Sequence, residues 1–240
     1  MNQKLNLNTI NDRQKGLEWF AGAQNEVVTV VGQGGIGSWL TLFLSRAGST
    51  VFTYDSDNFE SHNLSGQFAN RNNIGRNKAI SVKENILEYC PTAKITTHGH
   101  FTTDSPISQI TFGAVDKMPA RILIFEKWYS MVRKLKHGDR KQCLLIDGRL
   151  LAEQFQIFCI PGNRPDLISK YKDNHLPERV DSSDTSCTAR QTSHFGGGIA
   201  FQMVVFYTNY LSNLRQGENI RRIPFFNEYF GPVHLTENEE

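Results

Sequence analysis

One glycine-rich turn, and the acids, amides and lysine that trail it, carry most of the chemistry this chain can offer. Gly32-x-Gly34-Gly35-x-Gly37-Ser38 follows a β-branched run and opens a helical pattern. In such a turn the first glycine permits the tight bend, the second lets phosphates approach the main chain, and the third packs helix on strand. The helix that follows presents unpaired N–H groups and a positive dipole end to an anion. Asp55 closes the next strand pattern, where an acid meets ribose hydroxyls. Alone, this pattern favours NAD or FAD. The residues behind it argue otherwise, because Asp57, Glu60, Asn63, Leu64, Gln67, Gly75 and Lys78 trail Asp55. A nicotinamide enzyme needs no such cluster. A nucleotidyl transferase needs a cation near the β- and γ-phosphates, an acid for magnesium and polar groups to fix the ribose.

The elements that must position these groups are legible in the hydrophobic pattern. Residues 27–31, Val-Val-Thr-Val-Val, predict a buried strand; Ile36, Leu40, Phe43, Leu44 and Ala47 predict a helix that Gly48 stops; residues 50–54 predict a second strand. A right-handed crossover between them implies parallel strands. Residues 78–90 then read as a helix, 94–98 and 110–115 as strands, and 118–135 as a long amphipathic helix. Residues 142–146 predict a strand ending on Asp147, 155–160 another that follows closely enough to run antiparallel, and 173–190 a long exposed loop. Residues 194–214 predict a last helix, and the Glu-rich tail from Thr236 is expected to fray. The sum is a three-layer α/β, Rossmann-like domain with a mostly parallel sheet and an antiparallel extension.

Composition sets bounds. With 240 residues, 39% of them hydrophobic, the chain suits one substantial core. A formal net charge of +2 disfavours nucleic acid as a partner; clusters such as Arg133–Lys134–Lys136 and Arg221–Arg222 read as solvated helix faces. No apolar run reaches the roughly 18 residues needed to span a bilayer, and residues 1–11 lack an apolar leader, so a cytoplasmic protein is expected. Cys90, Cys143 and Cys159 sit in apolar patterns and read as core thiols, whereas Cys187 has polar neighbours; no C-x-x-C pair suggests zinc. His98-x-His100 has chelating spacing but no acid or thiol nearby to complete a metal site, and His62 and His194 read as supporting or capping residues.

The ordered set of motifs resembles the ThiF/MoeB/HesA superfamily, which includes the ubiquitin-activating enzymes. G-x-G-G-x-G-S is followed by D-x-D-x-x-E-x-x-N-L-x-x-Q, then I-G-x-x-K, Asp116-x-x-x-x-Arg121, and Asp147–Gly148–Arg149 with Glu153. Cys187–Thr188–Ala189–Arg190 before the last helix resembles a compact branch of phage and bacterial ThiF family proteins. The Arg13–Gln14 pair resembles the start of the family's N-terminal helix. The resemblance implies an N-terminal helical arm (1–24), an adenylation domain (25–214) with a crossover loop at about 173–190, and a C-terminal extension (215–240). It also assigns roles. Gly32, Gly34, Gly35 and Gly37 would wrap the triphosphate of ATP. Asp55 would hold the ribose, with Asp57, Asn63 and Gln67 beside it; Lys78 would meet the phosphates and Asp116 would bind Mg²⁺. Arg13 would enter the site of a second subunit, which implies a homodimer. Bland readings stand beside these: Lys78 as a solvated helix-start lysine, Asp116 as a helix cap, Arg13 as a surface arginine.

The implied activity is ATP-dependent adenylation of a carboxylate, such as the C-terminus of a ubiquitin-like or sulfur-carrier protein, with Cys187 as a candidate acceptor. Arg190 and the following helix start would lower its pKa, and Asp181 and Asp184 would raise it. Where much of the family reads N-L-x-R-Q, this chain has Gly66 in the arginine position, leaving Arg71, Arg76 or Arg13 to substitute. Rival readings are an NAD(P)-dependent oxidoreductase on the same fold, a nucleotide-binding scaffold for an active partner, and an adenylating enzyme for a small-molecule or RNA-borne carboxylate.

Overall fold

A computed structural model describes residues 6–177, 191–217, 220–230 and 233–237. It contains one 8-stranded sheet of order β3-β2-β1-β4-β5-β6-β7-β8. β1 (Val27–Val31), β2 (Thr50–Tyr54), β3 (Lys94–His98), β4 (Ile110–Gly113) and the first half of β5 (Leu144–Leu151) run parallel, and β6 (Gln154–Pro161), β7 (Phe226–Phe230) and β8 (Val233–Glu237) add antiparallel strands. The predicted class and its antiparallel extension are both present.

Alternation along the strands feeds two cores. Val28, Val30, Leu144 and Ile146 point to one face, where they meet Leu40 and Leu44 of α2 (Gly37–Arg46), Val82 and Ile86 of α3 (Lys78–Tyr89), and Met203 and Tyr207 of α6 (Ser193–Gln216). Val31, Leu145 and Phe158 point to the other, against Phe125 and Trp128 of α4 (Met118–Lys134) and Leu167 and Tyr171 of α5 (Pro165–His175). Each fully buried side chain of this kind contributes about 1.5–3 kcal/mol, which holds the three layers together. The short α1 (Phe20–Asn25) packs on α6, and Glu18 just before it accepts hydrogen bonds from Arg215, Gln216 and Arg221.

Local signals set the edges of the elements near the site. α2 stops at Gly48, whose φ of 98° closes the helix by bringing Ser49 N to Leu44 O at 3.2 Å. α3 starts at Lys78 because the Asn77 side chain accepts the Ile80 N–H at 3.1 Å.

Several expectations need correction. The loop expected from Asp173 begins later, since Asp173 to His175 are the last turn of α5. That helix starts on Pro165 with Asp166 in its first turn, and its buried stripe is Leu167, Ile168 and Tyr171. β5 does not end at Asp147 but runs to Leu151, forming a hairpin with β6. The tail is not frayed at Thr236, which pairs with Asn227 in the β7–β8 ladder. No helix among the described residues is long and apolar enough to cross a membrane.

Candidate active site

A cleft of about 1570 Å³ opens at the carboxyl ends of the parallel strands, where the chain passes from β1 out to β2 and β3 on one side and then returns from β3 to β4 on the other side of β1. This switch point is where open α/β sheets receive ligands. Gly32, Gly34, Gly35, Asp55, Asp57, Asn63, Gln67, Lys78 and Asp116 all line it.

The glycine turn has a geometry only glycine can keep. Gly32 has φ 92°, and a Cβ there would sit 2.4 Å from the Ala114 carbonyl oxygen. A Cβ on Gly37 would lie 1.8 Å from the Gly32 carbonyl oxygen. Gly37 therefore stands behind the turn as its packing residue and does not line the cleft. Gly34 has its nearest neighbour, Gln67 Nε2, at 3.9 Å from a built Cβ, so its main chain is open to a ligand. Ser38 ties the turn to the next segment, donating to Gly34 O at 2.7 Å and accepting from Phe68 N at 3.0 Å.

Asp55 braces the turn from the end of β2. Its Oδ2 accepts the Gln33 N–H at 2.6 Å and its Oδ1 the Asp57 N–H at 2.8 Å. Burial pushes its carboxyl above the usual carboxylate range; the two backbone hydrogen bonds and Lys78 pull the other way but less strongly. Asn77 donates to the carbonyls of Asp55 and Asp57 at 3.0 and 3.3 Å, and Lys78 N donates to Asp57 O at 2.8 Å, so the start of α3 is locked to the acidic loop. The Lys78 side chain is 12% exposed and its Nζ lies 3.4 Å from Asp57 Oδ2, whose own side chain is 72% exposed. Lys78 is thus a largely sheltered cation facing the cleft with a solvated counter-ion, not a solvated helix-start lysine.

Asn63 is buried and shapes the 3-10 turn Ser61–Ser65, accepting the Glu60 N–H at 2.9 Å. Gln67 is 8% exposed, and its Oε1 has no partner among the described residues. Asp116 follows β4; the cap position of α4 falls on Lys117, so the helix-cap reading of Asp116 does not hold.

Other predicted residues lie elsewhere. Arg13 is exposed and does not line this cleft. Cys187 lies outside the described residues, as do Asp181, Asp184 and Arg190. Arg76 pairs with Glu84 at 2.7 Å, and neither it nor Arg71 lines the cleft, so neither replaces an arginine at position 66. Gly66 itself has a local cause: a Cβ there would press on Gln191 Cβ at 3.2 Å. His98 stacks on Tyr54 with ring centroids 4.7 Å apart, and among the described residues no group of His, Cys, Asp and Glu forms a metal cluster. His62 sits 3.6 Å from Glu60, and His194 lies edge-on to Phe195. Cys90, Cys143 and Cys159 are buried, and burial pushes the Cys143 thiol up to about 11, which suits inert core residues.

Sequence reasoning quoted Arg121, Asp147 and Arg149 but missed their pairing. Asp147, 3% exposed, accepts from Arg121 Nη1, from Arg149 Nε at 2.9 Å and from the Tyr171 hydroxyl at 2.9 Å. Arg121 also donates to the carbonyls of Val115 and Gly148, which ties the loop after β4 to β5 beneath the cleft. The β5–β6 hairpin tip was missed as well: Leu150, Leu151, Ala152, Glu153 and Gln154 form one wall, and Gln191 and Thr192 lie between that wall and the glycine turn.

The raised pKa of Asp55 gives a pH prediction. Ionising this buried carboxyl costs stability, so its contribution favours the folded state at low pH and is lost as pH rises through its folded pKa. In the ribose-binding role that the family resemblance implies, Asp55 would need to be the ionised acceptor. Nucleotide affinity should therefore fall on acidification with a midpoint above the value of about 3.9 of a free aspartate. Titrating ATP binding from roughly pH 4 to pH 7 should show this limb in the native chain and not in Asp55→Asn. A limb unchanged in Asp55→Asn would assign it to another group.

Comparison with known proteins agrees with this architecture. The ThiF family pattern matches residues 13–223. The tRNA threonylcarbamoyladenosine dehydratase of Escherichia coli (strain K12) is 35% identical over 98 residues, 40% of this chain and 35% of the relative's length. The chain thus matches about a third of that relative. Crystal structures share the fold: E. coli MccB with MccA has a TM-score of 0.67 at 13% identity, covering 98% of this chain and 72% of that one. PaaA has a TM-score of 0.66 at 16% identity, covering 95% and 68%. E. coli MccB with ATP gives 0.62 at 14% identity, covering 92% and 66%. With a family match over most of its length, this chain belongs to the ThiF family.

Proposed function

We propose that this protein binds Mg·ATP in the cleft and adenylates a carboxylate. The observation that carries the reading is that one cleft joins an open glycine turn with a ribose-suited acid, a sheltered lysine and a further acid. Asp55 takes the ribose hydroxyls, the main chain at Gly34 and Gly35 takes phosphate oxygens at the α2 N-terminus, and Lys78 neutralises phosphate charge. A carboxylate and phosphates suit magnesium, so Asp116 with Asp57 nearby would hold Mg²⁺, which supplies charge neutralisation on the departing pyrophosphate. The substrate carboxylate attacks the α-phosphorus, an acyl–phosphate bond forms, and the bond to the β-phosphate oxygen breaks. The chain's part is to position and to neutralise.

The finer assignments extend this reading. A homodimer would let Arg13 of each subunit reach the other's cleft, in keeping with its exposure and its absence from the lining of its own. The carboxylate belongs to a ubiquitin-like or sulfur-carrier C-terminus, and Cys187 accepts the acyl group as a thioester. A second reading, an RNA-borne carboxylate, is favoured by the match to a tRNA-modifying dehydratase and weighed against by the net charge of +2. A cytoplasmic location fits either.

Intact-mass measurement after mixing the protein with ATP, Mg²⁺ and candidate carriers tests the activity. A carrier–AMP adduct is expected, together with released pyrophosphate. A dithiothreitol-sensitive adduct lost in Cys187→Ala would establish the thioester. Binding of NAD with no ATP turnover for any carboxylate would return the chain to the oxidoreductase reading, and ATP binding without pyrophosphate release would leave a scaffold.

A further inference from the structure

Gln191 occupies an unusual seat for a residue outside every motif. It is the first described residue before α6, and its main chain bridges Ala152 at the tip of the β5–β6 hairpin. Ala152 holds φ 49°, as the first residue of the two-residue turn between β5 and β6, and this turn presents its main chain to Gln191. Two glycines from separate segments are bare where Gln191 passes. A Cβ on Gly35 would lie 2.4 Å from Gln191 Oε1 and 3.2 Å from its Nε2, and a Cβ on Gly66 would lie 3.2 Å from Gln191 Cβ. Gly196, one turn into α6, continues the junction: its Cβ would meet Gly35 O at 2.4 Å. The carboxamide of Gln191 is therefore laid across the phosphate-facing turn, and any side chain at Gly35 would evict it.

Its position divides the cleft. On one side stand the ribose and phosphate residues, Asp55, Lys78 and Asp116. On the other stands the hairpin wall, with Leu151 and Gln154 among its residues. A nucleotide seated on the first side and an acyl chain along the second would meet at Gln191. Two further polar groups in the lining of the same cleft have no partner among the described residues: Gln67 Oε1, in a side chain that is 8% exposed, and Thr192 Oγ1, on the residue after Gln191. A buried carboxamide or hydroxyl left unpaired is costly, which marks this junction as built to be completed by a polar ligand.

We propose that Gln191 is a positioning residue for the acyl–phosphate junction: its carboxamide hydrogen-bonds the carboxyl group of the substrate where that group meets the α-phosphate. A half-turn about the last torsion exchanges donor and acceptor, so the same seat can present its NH₂ group to a developing acyl-adenylate. With Gly66 offering no side chain and neither Arg71 nor Arg76 in the cleft, Gln191 supplies a contact from this quarter by a different element. The proposal rests on the adenylation reading and sharpens it.

The test compares nucleotides that stop short of the junction with one that spans it. Calorimetric affinities for Mg·ATP, AMP and glycyl-sulfamoyl adenosine, a stable acyl-adenylate mimic, are measured on the native chain, Gln191→Ala and Gln191→Glu. In Gln191→Ala, affinity for the mimic should fall about tenfold while ATP and AMP stay within about twofold. In Gln191→Glu, a carboxylate beside the phosphates should weaken all three. Equal loss of all ligands in Gln191→Ala, or no loss for the mimic, overturns the proposal. A native chain that binds neither ATP nor the mimic overturns the adenylation reading itself, whatever Gln191 does.

Discussion

Asp147→Ala should lower the free energy of unfolding by about 3–5 kcal/mol, enough to leave many domains marginal. The carboxylate is 3% exposed and is the common acceptor for Arg121, Arg149 and Tyr171. Arg121 is itself only 6% exposed, so removing the acceptor leaves a largely buried guanidinium with the Val115 and Gly148 carbonyls but no counter-charge. Arg149 is more accessible, donates to the His175 carbonyl and lies over the Phe158 ring at 4.7 Å, so its share of the loss is smaller. The Tyr171 hydroxyl, whose pKa is pushed up by burial and then by Asp147, keeps its proton and needs the same acceptor. Asp147→Asn keeps the shape and one acceptor oxygen and should cost less. Urea unfolding followed by circular dichroism measures both; an Asp147→Ala chain within about 1 kcal/mol of the native one would show that the network contributes no net stability.

Lys78→Ala should do the opposite: cut carrier–AMP formation by about 10²–10³-fold with little change in unfolding. Its ammonium pairs with Asp57 at 3.4 Å, and Asp57 is mostly solvated, so the fold loses little when the charge goes. Phosphate, by contrast, would lose a sheltered cation that lines the cleft. Single-turnover adenylate formation and a urea melt on the same sample separate the two effects. Full activity in Lys78→Ala would remove the lysine from the mechanism, and a collapsed melt would recast it as structural. Together the two variants distinguish a buried charge that the fold relies on from a sheltered charge reserved for a ligand.

The sequence made the nucleotide half of the site readable because its geometry is local. Gly32 to Gly37 must bend between a strand and a helix, Asp55 must end the next strand, and Lys78 must open the helix after it. These positions follow from spacing and period, and the family resemblance supplied the role of Lys78. The hairpin wall and Gln191 were not readable, because a glutamine gains meaning only from Gly35, Gly66 and Ala152, which the fold brings to it from distant segments. The Arg121–Asp147–Arg149 network was half visible: the residue types stood out, but which carboxylate served which guanidinium depended on how α4 leans on β5. α5 goes unassigned before Asp173 on the sequence alone, although Pro165, Asp166 and the spacing of Leu167, Ile168 and Tyr171 mark a helix start and a buried stripe. β7 and β8 were missed for another reason. Their pairing is with β6 and with each other, and short aromatic runs near a chain end carry little periodicity.

The brace at Asp55 has a thermodynamic consequence. Both of its oxygens hold main-chain N–H groups, one on the glycine turn and one on the acidic loop. Loops tethered in this way have given up their freedom during folding, so little remains to be frozen when a ligand lands. The entropic toll of ordering the site is charged to the apoprotein, and encounter with a nucleotide becomes closer to docking on a rigid mould than to moulding a loose one.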